Sequence, residues 1–363
     1  MRKFHPFLLS EARISANRNS PIALDATYSL GSELSGVGVY SRELLHGLAK
    51  LQQQQRFHWC YRPHRFLRSL NVELPSNCRR RLLLDLLAPG QLFHGLNQRL
   101  PRKTARRNVV TFHDLFVMSG EYSTVEFRTR FTQQARHAAE RADLIICVSA
   151  FTASQVESLL RVPQSRLRVI WHGVHLPSGP VVPADAREKF VIHVGAIQAR
   201  KNLVRLVEAF ERMPADWRLV LLGSAGYGAE AILRRIASST AKNRIEITGY
   251  VSDKALRGWY GRAAILAFPS LDEGFGIPIL EAMAHGLPVL TSNRSALPEV
   301  AGDAGLLVDP VDSGDIAAGL LRLAEDKQLW MDLSRKGLAR AAECSWERAA
   351  DSTWNVYEEL LRG

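Results

Sequence analysis

The 363-residue chain contains no apolar run near the roughly 18–20 residues a bilayer-crossing helix needs, which argues against a membrane-spanning segment. Cysteine is scarce. Cys60, Cys78, Cys147 and Cys344 stand far apart, with neither metal-ligand spacing nor obvious pairing, so the expected setting is reducing and cytoplasmic. No short repeat is visible, which sets solenoids aside. The opening MRKFHPFLLSEARIS has two early cations, but His5, Pro6 and Glu11 interrupt it and it does not read as a signal peptide. What remains is 46% hydrophobic and 23% charged, the balance of a globular chain long enough for two or three domains.

Negative charge is missing from one region. Residues 56–107 hold twelve Lys/Arg (56, 62, 65, 68, 79, 80, 81, 99, 102, 103, 106 and 107) against Glu73 and Asp85. That stretch therefore carries +10 of the chain's net +11. It is either a solvated arginine-rich face or a surface for phosphates, on an anionic membrane or a lipid-linked acceptor. No aromatic platform or nucleic-acid motif accompanies it, and no nucleic acid is expected.

Along the chain, strand-like runs alternate with helical patterns. PIALDATYSL (21–30) reads as a first strand, followed by a Gly-rich loop at 35–40 and a helix with Leu44, Leu45, Leu48 and Leu51 in register. VVTFHDLF, DLIICVS and LRVIWHGV follow, and LPSGPVVPADARE (176–188) reads as a linker. The alternation restarts with FVIHVGA and runs through RLVLLGS, RIEITGY, AILAFPS and LPVLTS. SWERAADSTWNVYEELL then aligns Trp346, Ala350, Trp354, Tyr357 and Leu361 on one helical face. Parallel βα units are the expectation, as two doubly wound α/β domains facing each other across a cleft. The boundaries read as a leader at 1–20, a first domain at 21–176, a linker at 177–188, a second domain at 189–344 and a final helix at 345–363.

The stretch SLDEGFGIPILEAMAHG (270–286) carries the chemistry. It reads as the loop after strand AILAFPS, then a helix with Pro278 at its first position and Gly286 just past its end. Gly274 and Gly276 let backbone approach a ligand, leaving amides near Gly276 and Ile277 free for a phosphate. Glu281, expected in the first turn among apolar neighbours, needs a partner such as ribose hydroxyls. Glu273 precedes the helix, where it can reach a sugar. In HVGAIQARKNLVRLVEAF, Asn202 reads as an N-cap, so Arg200 and Lys201 stand at the wrong end of a helix dipole unless a polyphosphate intervenes. Gly195, Gly223 and Gly226 follow strands and can line the same pocket. His113, beside Asp114 at a strand end, is either a hydrogen-bonded core histidine or a cleft residue. HGLN (94–97) could line the acceptor side.

These C-terminal runs, with IALDATYSL, GVGVYSRELL, LFHGLN, TFHDLF and ICVSAFTASQV in the first half, resemble family 4 of the retaining glycosyltransferases, of the GT-B fold, over residues 21–358. Within the family the likeness is greatest to mannosyltransferases of bacterial polysaccharide assembly, lipopolysaccharide included. The resemblance implies transfer of a hexose, mannose from GDP-mannose first, to a glycan or lipid-linked glycan. A UDP-sugar and a soluble acceptor, or a non-catalytic nucleotide-sugar-binding module, are the alternatives. It implies a catalytic set of His113, Glu273, Arg200 and Lys201. It also implies a donor site of Gly36, Gly38, Gly195, Tyr250, Val251, Gly274, Phe275, Gly276, Ile277, Pro278 and Glu281. Glu273 would meet the sugar, Glu281 the ribose, Arg200 and Lys201 the diphosphate, and Tyr250 and Val251 the base. No metal and no cofactor beyond the nucleotide sugar are implied. Ala196 departs from the pattern, standing where some members carry another phosphate-binding arginine. The implied location is cytoplasmic, with peripheral contact to the inner membrane face through residues 56–107.

Overall fold

The computed structural model describes residues 20–85 and 90–362; the leader expected at 1–20 lies outside them but for Ser20, as do four positions of the basic stretch. Thirteen strands form two sheets among the described residues. The first contains β1 (Ile22–Asp25), β2 (Phe57–Tyr61), β3 (Cys78–Leu82), β4 (Leu92–Gly95), β5 (Arg107–Phe112), β6 (Leu144–Cys147) and β7 (Leu167–Val169), in the order β3-β2-β1-β4-β5-β6-β7. The second contains β8 (Phe190–Val194), β9 (Arg218–Leu222), β10 (Ile245–Gly249), β11 (Ile265–Phe268), β12 (Val289–Ser292) and β13 (Gly305–Val308), in the order β10-β9-β8-β11-β12-β13. Every pairing between these strands is parallel. The continuous apolar runs explain this: LIIC and ILAF are buried at every position, as strands covered on both faces must be.

The first strand is shorter than its apolar run. Asp25 ends it, because its carboxylate accepts the Thr27 amide at 3.0 Å and turns the chain into a short 3-10 segment. The Gly-rich segment expected as a loop is already helical. Ser35 caps the Gly36–Leu51 helix by accepting the Gly38 amide at 3.3 Å, which puts Gly36 and Gly38 in its first turn.

The last helix, Trp346–Arg362, packs against the first sheet, although it follows the second. Trp346, Ala350 and Tyr357 join the core around β1, β2 and β4, with Trp354 and Leu361 packed at its margin. Tyr357 shares a hydrogen bond with His94 Nδ1 at 2.6 Å, and His94 Nε2 meets the Thr111 hydroxyl at 2.8 Å. Burial pushes the His94 imidazole down to about 3, so it is a neutral link in a closed core network.

Candidate active site

In the second sheet the strand order reverses between β8 and β11, and ligands in doubly wound sheets bind beyond the strand ends at such a point. β8 leads to Gly195 and the turn Ala199–Lys201; β11 leads to the loop through Glu273. Asn202 joins them. It has φ +60°, and its amide donates to the carbonyls of Pro269 at 3.0 Å and Pro310 at 2.6 Å. The expected cap is therefore absent: the side chain ties loops together and leaves the Leu203–Phe210 helix without a side-chain cap.

That tie brings three charged groups into one buried cluster. Glu273 Oε1 meets Lys201 Nζ and Oε2 meets an Arg200 Nη1, both at 2.5 Å, and all three residues are under a tenth exposed. The cations are thus partly balanced by a carboxylate inside the chain, a partner the sequence reading did not give them. Phe116 lies 4.3 Å below the Arg200 guanidinium and Phe268 lies 4.5 Å from the Lys201 ammonium, which limits solvent and fixes both groups. Burial would raise the Glu273 carboxyl, but Arg200 and Lys201 hold it down at about 2. Burial pushes Lys201 down to about 8 against the pull of Glu273. One carboxylate shared by two cations leaves the ammonium under-compensated. Asp114 is raised to about 6, by burial first, and Asp272 is raised for the same reason.

The glutamate eight positions on lies elsewhere. The helix begins at Ile277 with Gly276 before it at φ +104°, so Pro278 is its second residue and Glu281 its fifth. Glu281 is therefore in the second turn, not the first as expected. Its carboxylate accepts the Tyr260 hydroxyl at 2.8 Å, and burial raises its pKa. Among the described residues its other oxygen has no hydrogen-bond partner. No side chain caps this helix, so its first amides are not used up locally. The amino ends of the two domains' helices meet here: the Ile277 side chain is 3.9 Å from where a Gly36 Cβ would stand.

Gly274 and Phe275 form one contact between the domains. The Gly274 carbonyl accepts the Ser149 hydroxyl at 2.6 Å and that of Thr152 at 3.1 Å, and a Cβ on Gly274 would run into the His113 carbonyl. Phe275 packs edge-on against His172. His113 donates no bond to Asp114. Its Nε2 pairs with the Leu96 carbonyl at 2.9 Å, its ring stacks on His172, and burial lowers it to about 4. It is a neutral cleft-edge imidazole. Tyr250 also spans the domains, donating to the Ser32 carbonyl at 2.8 Å, while Val251 packs on the second core.

Two further groups were not foreseen. Glu299 accepts the amides of Ala150 at 2.9 Å and Phe151 at 3.2 Å and the Trp171 indole at 2.9 Å, so a second-domain carboxylate sits on the amino end of the first-domain helix Ala150–Leu160. Asp272 accepts the Ser119 hydroxyl at 2.9 Å. Neither had a local signal, since each partner lies more than a hundred residues away.

Comparison with known proteins identifies the family and the fold. Residues 53–177 match the family described as Glycosyltransferase Family 4, and residues 188–326 match Glycosyl transferases group 1. The O-antigen chain mannosyltransferase B of Escherichia coli is 30% identical, over 92% of this chain and 99% of its own length. Sucrose-phosphate synthase from Thermosynechococcus elongatus superposes with a TM-score of 0.77 at 23% identity, covering 94% of this chain and 99% of that one. Anabaena HepE, solved with UDP-glucose, superposes with a TM-score of 0.70 at 17% identity, covering 94% and 100%. With its two parallel sheets and both halves matched, the chain belongs to family 4 of the glycosyltransferases and has the GT-B fold.

Proposed function

We propose that this glycosyltransferase moves mannose from GDP-mannose, with retention of anomeric configuration, to a glycan or lipid-linked glycan during cell-surface polysaccharide assembly in the cytoplasm. The Arg200–Lys201–Glu273 cluster beside two converging helix amino ends carries the reading. In it, the donor's diphosphate takes the place of the Glu273 carboxylate against Arg200 and Lys201, and the freed Glu273 accepts hydroxyls of the sugar. Glu281, with one oxygen uncommitted, accepts the ribose hydroxyls. The choice of mannose is supported by the Escherichia coli mannosyltransferase likeness.

Charge governs the step. The bond from sugar C1 to the diphosphate oxygen breaks, a bond from C1 to the acceptor oxygen forms on the same face, and the acceptor's proton passes to the departing phosphate oxygen. Arg200, Lys201 and the Ile277 helix end stabilise the charge on that leaving group, a contribution worth about 10²–10³ in rate per well-placed donor. The cationic residues supply the charge a divalent ion would otherwise bring, and chelation with EDTA is expected to leave turnover unchanged. Incubation with GDP-mannose, UDP-glucose and related donors, with NMR of the product anomer, tests the proposal. GDP-mannose is expected to be turned over with the α-configuration kept. Consumption of a UDP-sugar alone, or an inverted product, would overturn it.

A second observation favours peripheral membrane contact. The short helix Pro63–Ser69 and edge strand β3 leave Leu67 (76%), Leu70 (54%) and Leu82 (44%) exposed, and Arg68, Arg79 and Arg81 of the same two elements are exposed as well. Exposed leucines and cations on one edge of the sheet suit an anionic bilayer. Arg80 donates to the Val72 carbonyl at 2.6 Å and is structural, so Arg79→Gln with Arg81→Gln is the informative pair. Sedimentation with vesicles of 30 mol% (about a third) phosphatidylglycerol is expected for the parent and several-fold weaker for the variant, at equal donor affinity. A parent that stays in the supernatant refutes the contact.

A further inference from the structure

The first sheet has its own reversal of strand order, between β1 and β4. By the same rule its strand ends form a second crevice. β1 delivers Asp25 there, β2 is followed by Arg62, and β4 by a tight turn to Arg99. That turn requires glycine at 95, where a Cβ would run into the Arg99 carbonyl; the Arg99 amide bonds the Asn97 carbonyl at 2.8 Å. The turn also anchors the cleft histidine, because His113 pairs with Leu96, three residues before Arg99.

Between these strand ends and the helix Val125–Arg141 lies a cavity of about 380 Å³, within the range of roughly 300–1,000 Å³ of small-molecule sites. Its walls include Arg62, Arg99, Arg102, Gln133, Gln134 and His137. Asp85 is the one carboxylate among the lining residues, against three guanidinium groups. Arg62 stands 3.9 Å from Asp85 and 3.7 Å from Asp25, too far for hydrogen bonds. The Nε atoms of both Arg62 and Arg99 are buried with no hydrogen-bond partner. A buried N–H left unmade costs on the order of 1–3 kcal/mol, more for a charged group. Arg62 Nε faces Asp25 Oδ2, itself buried without a hydrogen bond, so the Nε of Arg99 is the group left for an acceptor oxygen that the surrounding described residues do not provide. Burial, then the charge of Arg141, lowers the His137 imidazole, leaving it neutral and able to share a hydrogen bond.

We infer that this cavity is a phosphoryl-anion site of the first domain, holding a phosphate or diphosphate borne by the acceptor close to its accepting hydroxyl. The inference rests on the glycosyl-transfer reading for the word acceptor, while the anion site itself does not depend on it. It also divides the positive charge by purpose. The strand-end arginines grip one phosphoryl group in the cavity, whereas Arg79 and Arg81 are exposed on the edge strand β3.

Calorimetric titration of the full chain with inorganic pyrophosphate, in the presence of saturating GDP, isolates the site. Arg62 is kept, since its guanidinium is the charged neighbour of Asp25, which is 1% exposed. Arg99→Gln/Arg102→Gln is the main variant, and Arg102→Gln alone, at an exposed position, is the backup should the pair fail to fold. Pyrophosphate is expected to bind the parent and Lys201→Met alike, at least tenfold more weakly to the double variant and measurably more weakly to the single one. Unchanged binding in the folded arginine variants overturns the site, as does loss in Lys201→Met alone, which would trace the anion to the second domain. Vesicles of phosphatidylglycerol separate the sources: a variant that loses vesicle binding yet keeps pyrophosphate binding has lost a headgroup contact, and the cavity proposal falls. Failure of GDP to bind at all would sink the donor reading while the pyrophosphate comparison still decides this one.

Discussion

Lys201→Met is expected to lower kcat/KM by about 10²–10³-fold while the chain stays folded. Methionine is an unbranched side chain of similar reach that can fill the space over Phe268, and Glu273 keeps Arg200 at 2.5 Å, so no buried carboxylate is left alone. Glu273→Ala is the less informative change. It strands two buried cations together, a defect of about 3–5 kcal/mol, and lost activity would then report unfolding. The ammonium is also what makes the reaction sensitive to base. Lys201 titrates near 8 because burial disfavours its charge, so it is a cation below that pH and neutral above it. Donor affinity is expected to be level below about pH 8 and to fall towards about tenfold per unit above it. Glu273, held at about 2, stays ionised throughout and adds no slope. Binding of the nucleotide sugar measured from pH 6.5 to 9.5 checks this, with Lys201→Met flat over the same range. A parent as flat as the variant would remove Lys201 from the diphosphate.

The sequence made the parallel sheets readable because buried strands such as LIIC and ILAF are apolar at consecutive positions, and the intervening helices carry one apolar face. The candidate residues were readable for a related reason: glycine, proline and charge stand out in loops that follow such strands. Their partners were not. Glu273 and Lys201 lie 72 positions apart, and only the adjacency of β8 and β11 brings their loops together. Local reasoning therefore gave Arg200 and Lys201 a polyphosphate as their only partner, and gave Asn202 a cap that its φ of +60° rules out. Glu281 was misplaced by one residue, enough to move it out of the first turn, because a helix start cannot be fixed from a proline alone; Gly276 in a left-handed conformation sets it. Glu299 and the Arg62–Arg99 cavity were hidden for the same reason as Glu273, each depending on segments joined only by sheet order or domain contact.

Gly274→Ala is expected to cost about 10²-fold in kcat/KM without lowering the melting temperature of either domain by more than a few degrees. The backbone at 274 is not left-handed, so alanine is not strained by conformation. The obstacle is across the cleft, where its Cβ would run into the His113 carbonyl and come within 2.9 Å of the Asp114 Cβ. The domains must part to make room, and parting them pulls the Gly274 carbonyl from Ser149 and Thr152. It also draws the Gly36 helix end away from Ile277, and a reacting pair displaced by about 1 Å loses roughly two orders of magnitude. Hydrogen exchange gives a readout separate from activity: amides at 150–152 should exchange faster in the variant, while those of β5 and β11 are unchanged. Normal exchange together with normal turnover would mean that this contact does not hold the catalytic arrangement. Normal exchange with lost turnover would instead assign the defect to the loop itself, since the added methyl then disturbs Glu273 one residue away without moving the domains.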